Sequence, residues 1–219
     1  LNDNLSYWQN EVNKIEERCD FNGLLKDEYK NKIVLSEYDI IKDPKEIQFE
    51  INENNFTDLK KFSKENGFTI NSILQFIIHK TLSIYGNSKQ TIIGTTLSGR
   101  ELPINNIDKS VGLFINTLPL IINHTETGDN IIDAIKYTQN KINEIITRTN
   151  IDLSKLSNGG KKRELFDCLF VYENYPEIKS KNNSNYLKIQ SLNTYEKSDY
   201  PITFLAYESI NNNKKRSIN

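Results

Sequence analysis

His79 and His124 are the only imidazoles in the 219-residue sequence, and a general base would be sought among them first. His79 falls inside a long apolar helical pattern, one step past Ile78 and off its strongest stripe. A flank or surface position is expected for it, as histidine is commonly half-exposed. His124 follows the apolar run ending at Leu120 and precedes a turn with Thr125 and Gly128, so exposure is expected there too. Neither spacing marks out a general base. A second polar group is more pointed. Thr91 to Leu120 reads TIIGTTLSGR, a polar turn, then VGLFINTLPL. Inside these β-branched runs stand Gly94, Thr95, Thr96, Gly112 and Asn116, and between them Ser98, Gly99 and Arg100. Such insertions mark a bulge or a close approach by backbone or ligand. On spacing alone, two plain core strands joined by a loop are an equal reading.

Other chemistries lack their signatures. The sequence holds no glycine-rich phosphate loop, dinucleotide fingerprint, nucleophile elbow or metal-ligand cluster. Its two cysteines, Cys19 and Cys168, stand far apart in no metal-type spacing, which fits a reducing cytoplasm. With 28 basic and 29 acidic residues the net charge is -1, so nucleic acid and anionic membrane surfaces have no electrostatic claim on it. No apolar run approaches the ~20 residues of a bilayer span.

The elements that must position these residues follow from periodicity. Leu5, Trp8, Val12 and Ile15 predict a helix over 4–17. A loop with one extended piece near Ile33–Leu35 follows, then Ile47, Phe49 and Ile51 alternate as a half-buried strand. Phe56, Leu59 and Phe62 predict a helix that Gly67 ends. Thr69 caps a longer one bearing Ile70, Ile73, Leu74, Ile77, Ile78, Leu82 and Tyr85, and Gly86 closes it. Asp129 caps a third, with Ile131, Ile132, Ile135, Ile142, Ile145 and Ile146 facing inward. After a break at Asn158–Gly160, Phe166 to Tyr175 is a strand stopped by Pro176, and 186–192 and 201–207 are two more. Residues 209–219, with Lys214, Lys215 and Arg216, form a disordered or polar tail. The order β-α-α-β-β-α-β-β-β indicates an α/β sandwich with long helices on one face of a mixed sheet. The sequence has no Met and begins at Leu1, and is expected to be a piece of a longer polypeptide.

Three segments in order, GTTLSGRELP (94–103), VGLFINTLPL (111–120) and LFDCLFVYENYP (165–176), resemble the C-terminal half of condensation domains in nonribosomal peptide synthetases. LSYWQNEV and SDYPITFLAY (198–207) are similar to the helix and strand that flank them there, so the resemblance covers nearly all of the chain. It implies a chloramphenicol-acetyltransferase-like sandwich, residues 1–219 forming one C-terminal lobe, and a role in peptide antibiotic biosynthesis. The family's catalytic His-His-x-x-x-Asp-Gly motif belongs to the first half and is absent here. The implied contribution is one wall of a tunnel between two lobes, incomplete as a catalyst alone.

The implied partners are the N-terminal lobe, peptidyl carrier proteins and an adjacent adenylation domain. The chain would bind no cofactor directly; 4'-phosphopantetheine arrives on the carriers. Asn116, Ser98, Gly99, Arg100, Gly112 and Thr96 would belong to the tunnel. Asn116 either hydrogen-bonds an aminoacyl or pantetheine group or satisfies buried backbone. Arg100 either anchors its turn or reaches substrate. Asn174 is given a structural role. The rival readings are an acetyltransferase-like acyltransferase completed by oligomerisation, with His79 or His124 as base, and a non-catalytic carrier-docking module. A lobe without its partner would expose apolar surface near Val111–Ile122 and an unpaired strand edge, so contacts between copies are expected there.

Overall fold

Side-chain caps decide where the helices begin and end. The computed structural model describes residues 2–15, 21–30, 32, 34, 45–102, 104–156, 165–173, 199–210 and 216–218. Cys19, residues 33 and 35 of the extended piece, the break at 158–160, Asn174, Pro176, the strand at 186–192, Lys214 and Lys215 lie outside them. Helix α1 spans Asn2–Asn13. Helix α2, Glu53–Asn66, starts where the Asn52 side chain accepts from the Asn55 N–H and stops at Gly67, whose φ of 69° is the left-handed conformation that favours glycine. Helix α3, Ile70–Gly86, opens on a capping box in which Thr69 and Ser72 exchange side-chain-to-backbone bonds. Gly86 is its last residue, as expected, and Asn87 takes the left-handed turn after it at φ 47°, a conformation its short amide tolerates. Helix α4, Ile131–Ile146, is capped by Asn130 and not by Asp129, the Asn130 side chain accepting from the Asp133 N–H at 2.9 Å.

Strand β1 (Gln90–Leu97) pairs antiparallel with β2 (Asn116–Asn123), from Gln90 opposite Asn123 to Leu97 opposite Asn116. On its other side β1 runs parallel to β3 (Cys168–Glu173), which is parallel to β4 (Ile202–Ile210), and β4 is antiparallel to β5 (Arg216–Ile218). The order β2-β1-β3-β4-β5 makes a mixed sheet, as expected, with β2 outermost in the described sheet. Two expectations fail here. Residues 45–50 form no strand; Ile47 and Phe49 are 89% and 75% exposed, and only Ile51 bridges, to Ile218. Residues 209–219 are not all tail, since β4 reaches Ile210 and β5 buries Ile218.

β1 is buried on both faces, and alternation sorts its neighbours. Thr91 and Thr95 meet α3, which packs on β1 and α4. On the opposite face Gly94 lies under the fully buried ring of Phe166, itself stacked on Tyr200 at 5.3 Å. The larger core cluster joins Ile92, Ile93, Leu118, Leu120, Ile142, Ile145 and Phe170. Burying each such side chain contributes roughly 1.5–3 kcal/mol before entropy. The helix stripes are not wholly inward: Ile77, Tyr85 and Ile131 are exposed. Trp8 anchors α1 to the end of α4, donating from Nε1 to the Arg148 carbonyl at 3.0 Å.

Candidate functional site

The pairing of β2 begins at Asn116, five residues later than the run from Val111 suggests. Val111, Leu113 and Ile115 extend ahead of it as exposed side chains. The intervening Phe114 is held instead. The Arg100 guanidinium lies over its ring at 4.6 Å, while Arg100 Nη1 donates to the carbonyls of Ile107 at 2.6 Å and Ser110 at 3.1 Å. One side chain thus folds the 100–110 loop back on itself and grips the strand entry by a cation–π contact. Ser98 secures the start of the same loop, donating to the Glu101 carboxylate at 2.6 Å and accepting from the Arg100 N–H at 3.2 Å.

Gly99 is required by geometry. Its φ is 68°, and a Cβ there would stand 2.1 Å from the Phe114 carbonyl oxygen. Gly99→Ala is expected to cost about 1–2 kcal/mol through the left-handed backbone and the displaced Phe114. Thermal unfolding checks the cost, and a faster amide exchange confined to 98–115 checks its location.

Asn116 joins β2 to the segment after α4. Its Nδ2 donates to the carbonyls of both Thr149 and Ile151 at 2.7 Å, and its Oδ1 accepts from the Thr117 N–H at 2.9 Å. Both amide protons are therefore committed to backbone. Between this segment and the 99–116 stretch opens a cleft of about 690 Å³, lined by Leu5, Gly99, Leu113, Ile115, Asn116 and Lys155 among others. Of the residues singled out from sequence, Gly99 and Asn116 line it. Ser98 and Arg100 brace it from outside the lining. Thr96 pairs with Thr117 in the strands, and Gly112 would place a Cβ 3.2 Å from the Phe114 ring. Phe114 and the carbonyls of Thr149 and Ile151 were not legible in advance. Phe114 sits in an apolar run like its neighbours, and a backbone carbonyl has no side-chain signature.

The histidines are elsewhere, and both are placed differently from expectation. His79 is fully buried and His124 half-buried. They meet on one hydroxyl: His79 Nδ1 is 2.7 Å and His124 Nε2 2.8 Å from Thr91 Oγ1. Thr91 pairs with Ile122, whereas Asn116 pairs with Leu97 six positions along β1. At the rise of a strand these ends lie about 20 Å apart. No histidine, then, reaches the cleft among the described residues. Among those same residues no three His, Cys, Asp or Glu side chains gather to hold a metal, and no helix is long and apolar enough to cross a membrane.

Known proteins resemble this chain in sequence and in fold. The family described as Condensation domain matches residues 1–218. The chain is 39% identical over 214 residues to the N-(5-amino-5-carboxypentanoyl)-L-cysteinyl-D-valine synthase of Penicillium rubens, which covers 94% of the chain and 6% of that protein. It is 26% identical over 212 residues to bacitracin synthase 3 of Bacillus licheniformis, covering 92% of the chain and 3% of that protein. The chain thus spans only a small fraction of these curated relatives. Among solved structures, the X-domain from teicoplanin biosynthesis superposes with a TM-score of 0.67 at 15% identity, over 99% of this chain and 47% of that one. The first condensation domain of the CDA synthetase superposes with a TM-score of 0.58 at 10% identity, over 80% of this chain and 35% of that one. These likenesses share the condensation-domain fold, the acetyltransferase-like mixed sheet and helices expected above.

Proposed function

This chain belongs to the condensation-domain family, and from that premise we propose that it is the C-terminal lobe of a nonribosomal peptide synthetase condensation domain. Its cleft at Asn116 forms one wall of the tunnel in which a carrier-bound acceptor amine attacks a carrier-bound donor thioester. The amine nitrogen bonds to the acyl carbon, the C–S bond breaks, and the pantetheine thiol leaves with the proton the amine gives up. Carrier and adenylation domains are the partners this reaction needs, and pantetheine enters as part of the substrate. Holding two tethered reactants in line supplies a large share of such a rate.

The observation that carries the reading is a braced cleft beside an unpartnered apolar strip. Val111 and Leu113 are 103% and 89% exposed, next to a wall fixed by Arg100 and Asn116. A side chain that exposed, repeated two residues on, favours a facing surface that covers it. The same cleft offers the reaction a wall whose shape Asn116 fixes through its bonds to Thr149 and Ile151. Proton handling would come from the His-His-x-x-x-Asp-Gly motif of the facing lobe.

Reconstitution tests this. The chain, combined with an N-terminal lobe bearing that motif and with loaded donor and acceptor carriers, is expected to form amide product. Either lobe alone is expected to give none. Turnover by this chain alone, lost on His79→Ala or His124→Ala, would instead make it a self-sufficient acyltransferase. Carrier binding without turnover in the reconstituted pair would make it a docking module.

A further inference from the structure

We propose that His79, Thr91 and His124 form an acid-sensitive lock that fastens α3 to the β1–β2 hairpin and opens as the pH falls below neutrality. The inference stands on its own geometry and does not rest on the proposed reaction. Three elements converge on one hydroxyl: α3 through His79, β1 through Thr91 and the end of β2 through His124. A threonine hydroxyl has one proton to donate. At most one imidazole therefore accepts from Thr91, so at least one donates to it, and the tautomer of each ring sets the direction of its bond. In every such arrangement each ring keeps a nitrogen facing inward. His79 Nε2 and His124 Nδ1 are both buried without a hydrogen-bond partner. An additional ring proton would have no acceptor there, and at His79 its charge no solvent.

The surrounding charges push the same way. Burial first, then its partner His124, holds His79 well below the ordinary imidazole range. Burial and then Lys80 of α3 hold His124 down, to about 4. The carboxylate in the turn after β2 is Glu126, and it is engaged by Asn123 at 2.9 Å and by Tyr137 of α4 at 2.9 Å. Lys89, ahead of β1, accepts at its carbonyl from the His124 backbone N–H at 2.8 Å. Both rings are thus neutral in the fold at pH 7. In the unfolded chain each takes a proton near pH 6.5. Below that pH the unfolded state binds more protons than the native one, so stability is full above about pH 6.5 and falls as the pH drops toward 4. Discounted for its partial exposure, His124 alone is expected to lower the folding equilibrium constant roughly ten-fold between pH 7.5 and pH 5, and His79 adds to that in the same direction.

The test is an NMR titration of the full chain labelled in its two histidines, paired with urea unfolding. Neither imidazole is expected to titrate near pH 6.5 while the fold persists. Instead the native signals should fade on acidification as amide exchange rises at Ile78–Leu82, Thr91 and Ile122. The double variant His79→Asn, His124→Gln offers Thr91 an amide from each side and binds no proton. Its pH dependence between 7.5 and 5 should be flatter by that ten-fold. A ring that titrates reversibly near pH 6.5 in the intact fold overturns the lock. So does a double variant as acid-sensitive as the parent. If the variant does not fold, the titration of the parent decides.

Discussion

Gly94→Ala is expected to lower stability by about 3 kcal/mol, the upper end of the usual cost of overpacking a filled core. The added carbon would lie 2.1 Å from Phe166 Cε2, 2.6 Å from Cζ and 2.8 Å from Cδ2. A flexible side chain would swing away. This one cannot, because Phe166 is wholly buried and its ring stacks on Tyr200 with only 20° between their planes. Nor can β1 shift, held as it is between β2 and β3 with Gly94 opposite Pro119 on one side and Leu169 on the other. The urea midpoint measures the loss. Phe166→Leu in the same chain should restore part of it, so the two changes together cost at least ~1 kcal/mol less than their sum. A Gly94→Ala protein within 0.5 kcal/mol of the parent would show that the ring and the strand are not in contact as described.

Asn116 supports the second large effect, and two substitutions separate its possible roles. Asn116→Leu keeps the branched shape but removes the amide donor from both carbonyls, leaving Thr149 only the Ile151 N–H at 2.9 Å, at a cost of about 2 kcal/mol with some relief from solvent. Asn116→Asp is expected to cost more, about 3 kcal/mol, since a carboxylate would face those two carbonyls as a third acceptor. Thermal unfolding should rank parent, then Leu, then Asp. Exchange should quicken at 147–152, the segment lining the cleft opposite Gly99. On the proposed reading, in which this cleft orients the reactants, either variant should lose more than about ten-fold in rate in the reconstituted condensation reaction. If Asn116 served chiefly to touch substrate, the rate would fall while the unfolding temperatures stayed together.

What the sequence revealed divides along a physical line. Caps are local, so Gly67 and Thr69 place their helix ends to the residue. The strand pair around Gly94 and Asn116 was legible because Ile and Val runs interrupted by small and polar residues have few other uses. One cap missed by a single step, Asn130 taking the place expected of Asp129, and the larger misses have non-local reasons. Ile47 and Phe49 alternate like a strand, yet a strand needs a ladder, and only Ile51 finds one, at Ile218. His79 reads as a flank residue because α3 is apolar nearly all round, so periodicity poorly fixes which side turns inward. The deepest face of α3 carries Ser72, Gln75 and His79, while Ile77 and Ile84 face out. β1 offers hydroxyls to that face: Thr95 donates to Gln75 Oε1 at 2.7 Å, and Thr91 meets His79. Buried polar groups are tolerated when partnered, and their partners lie on another element. In the cleft, the residue types suggested polar recognition, but the carbonyls that occupy Asn116 come from a loop no motif identifies.

The strand order also bears on how the chain is made. On the ribosome, β1 and β2 emerge close together and can zip as a hairpin. β1's other edge must wait for β3, β3 for β4, and Ile51 for Ile218, near the last residues described. Such distant pairings form late and slowly. For the roughly 70 residues between β1 and β3, then, a nascent chain of this sequence would carry an open β1 margin, a natural substrate for holdase chaperones and for mispairing between neighbouring polysomes.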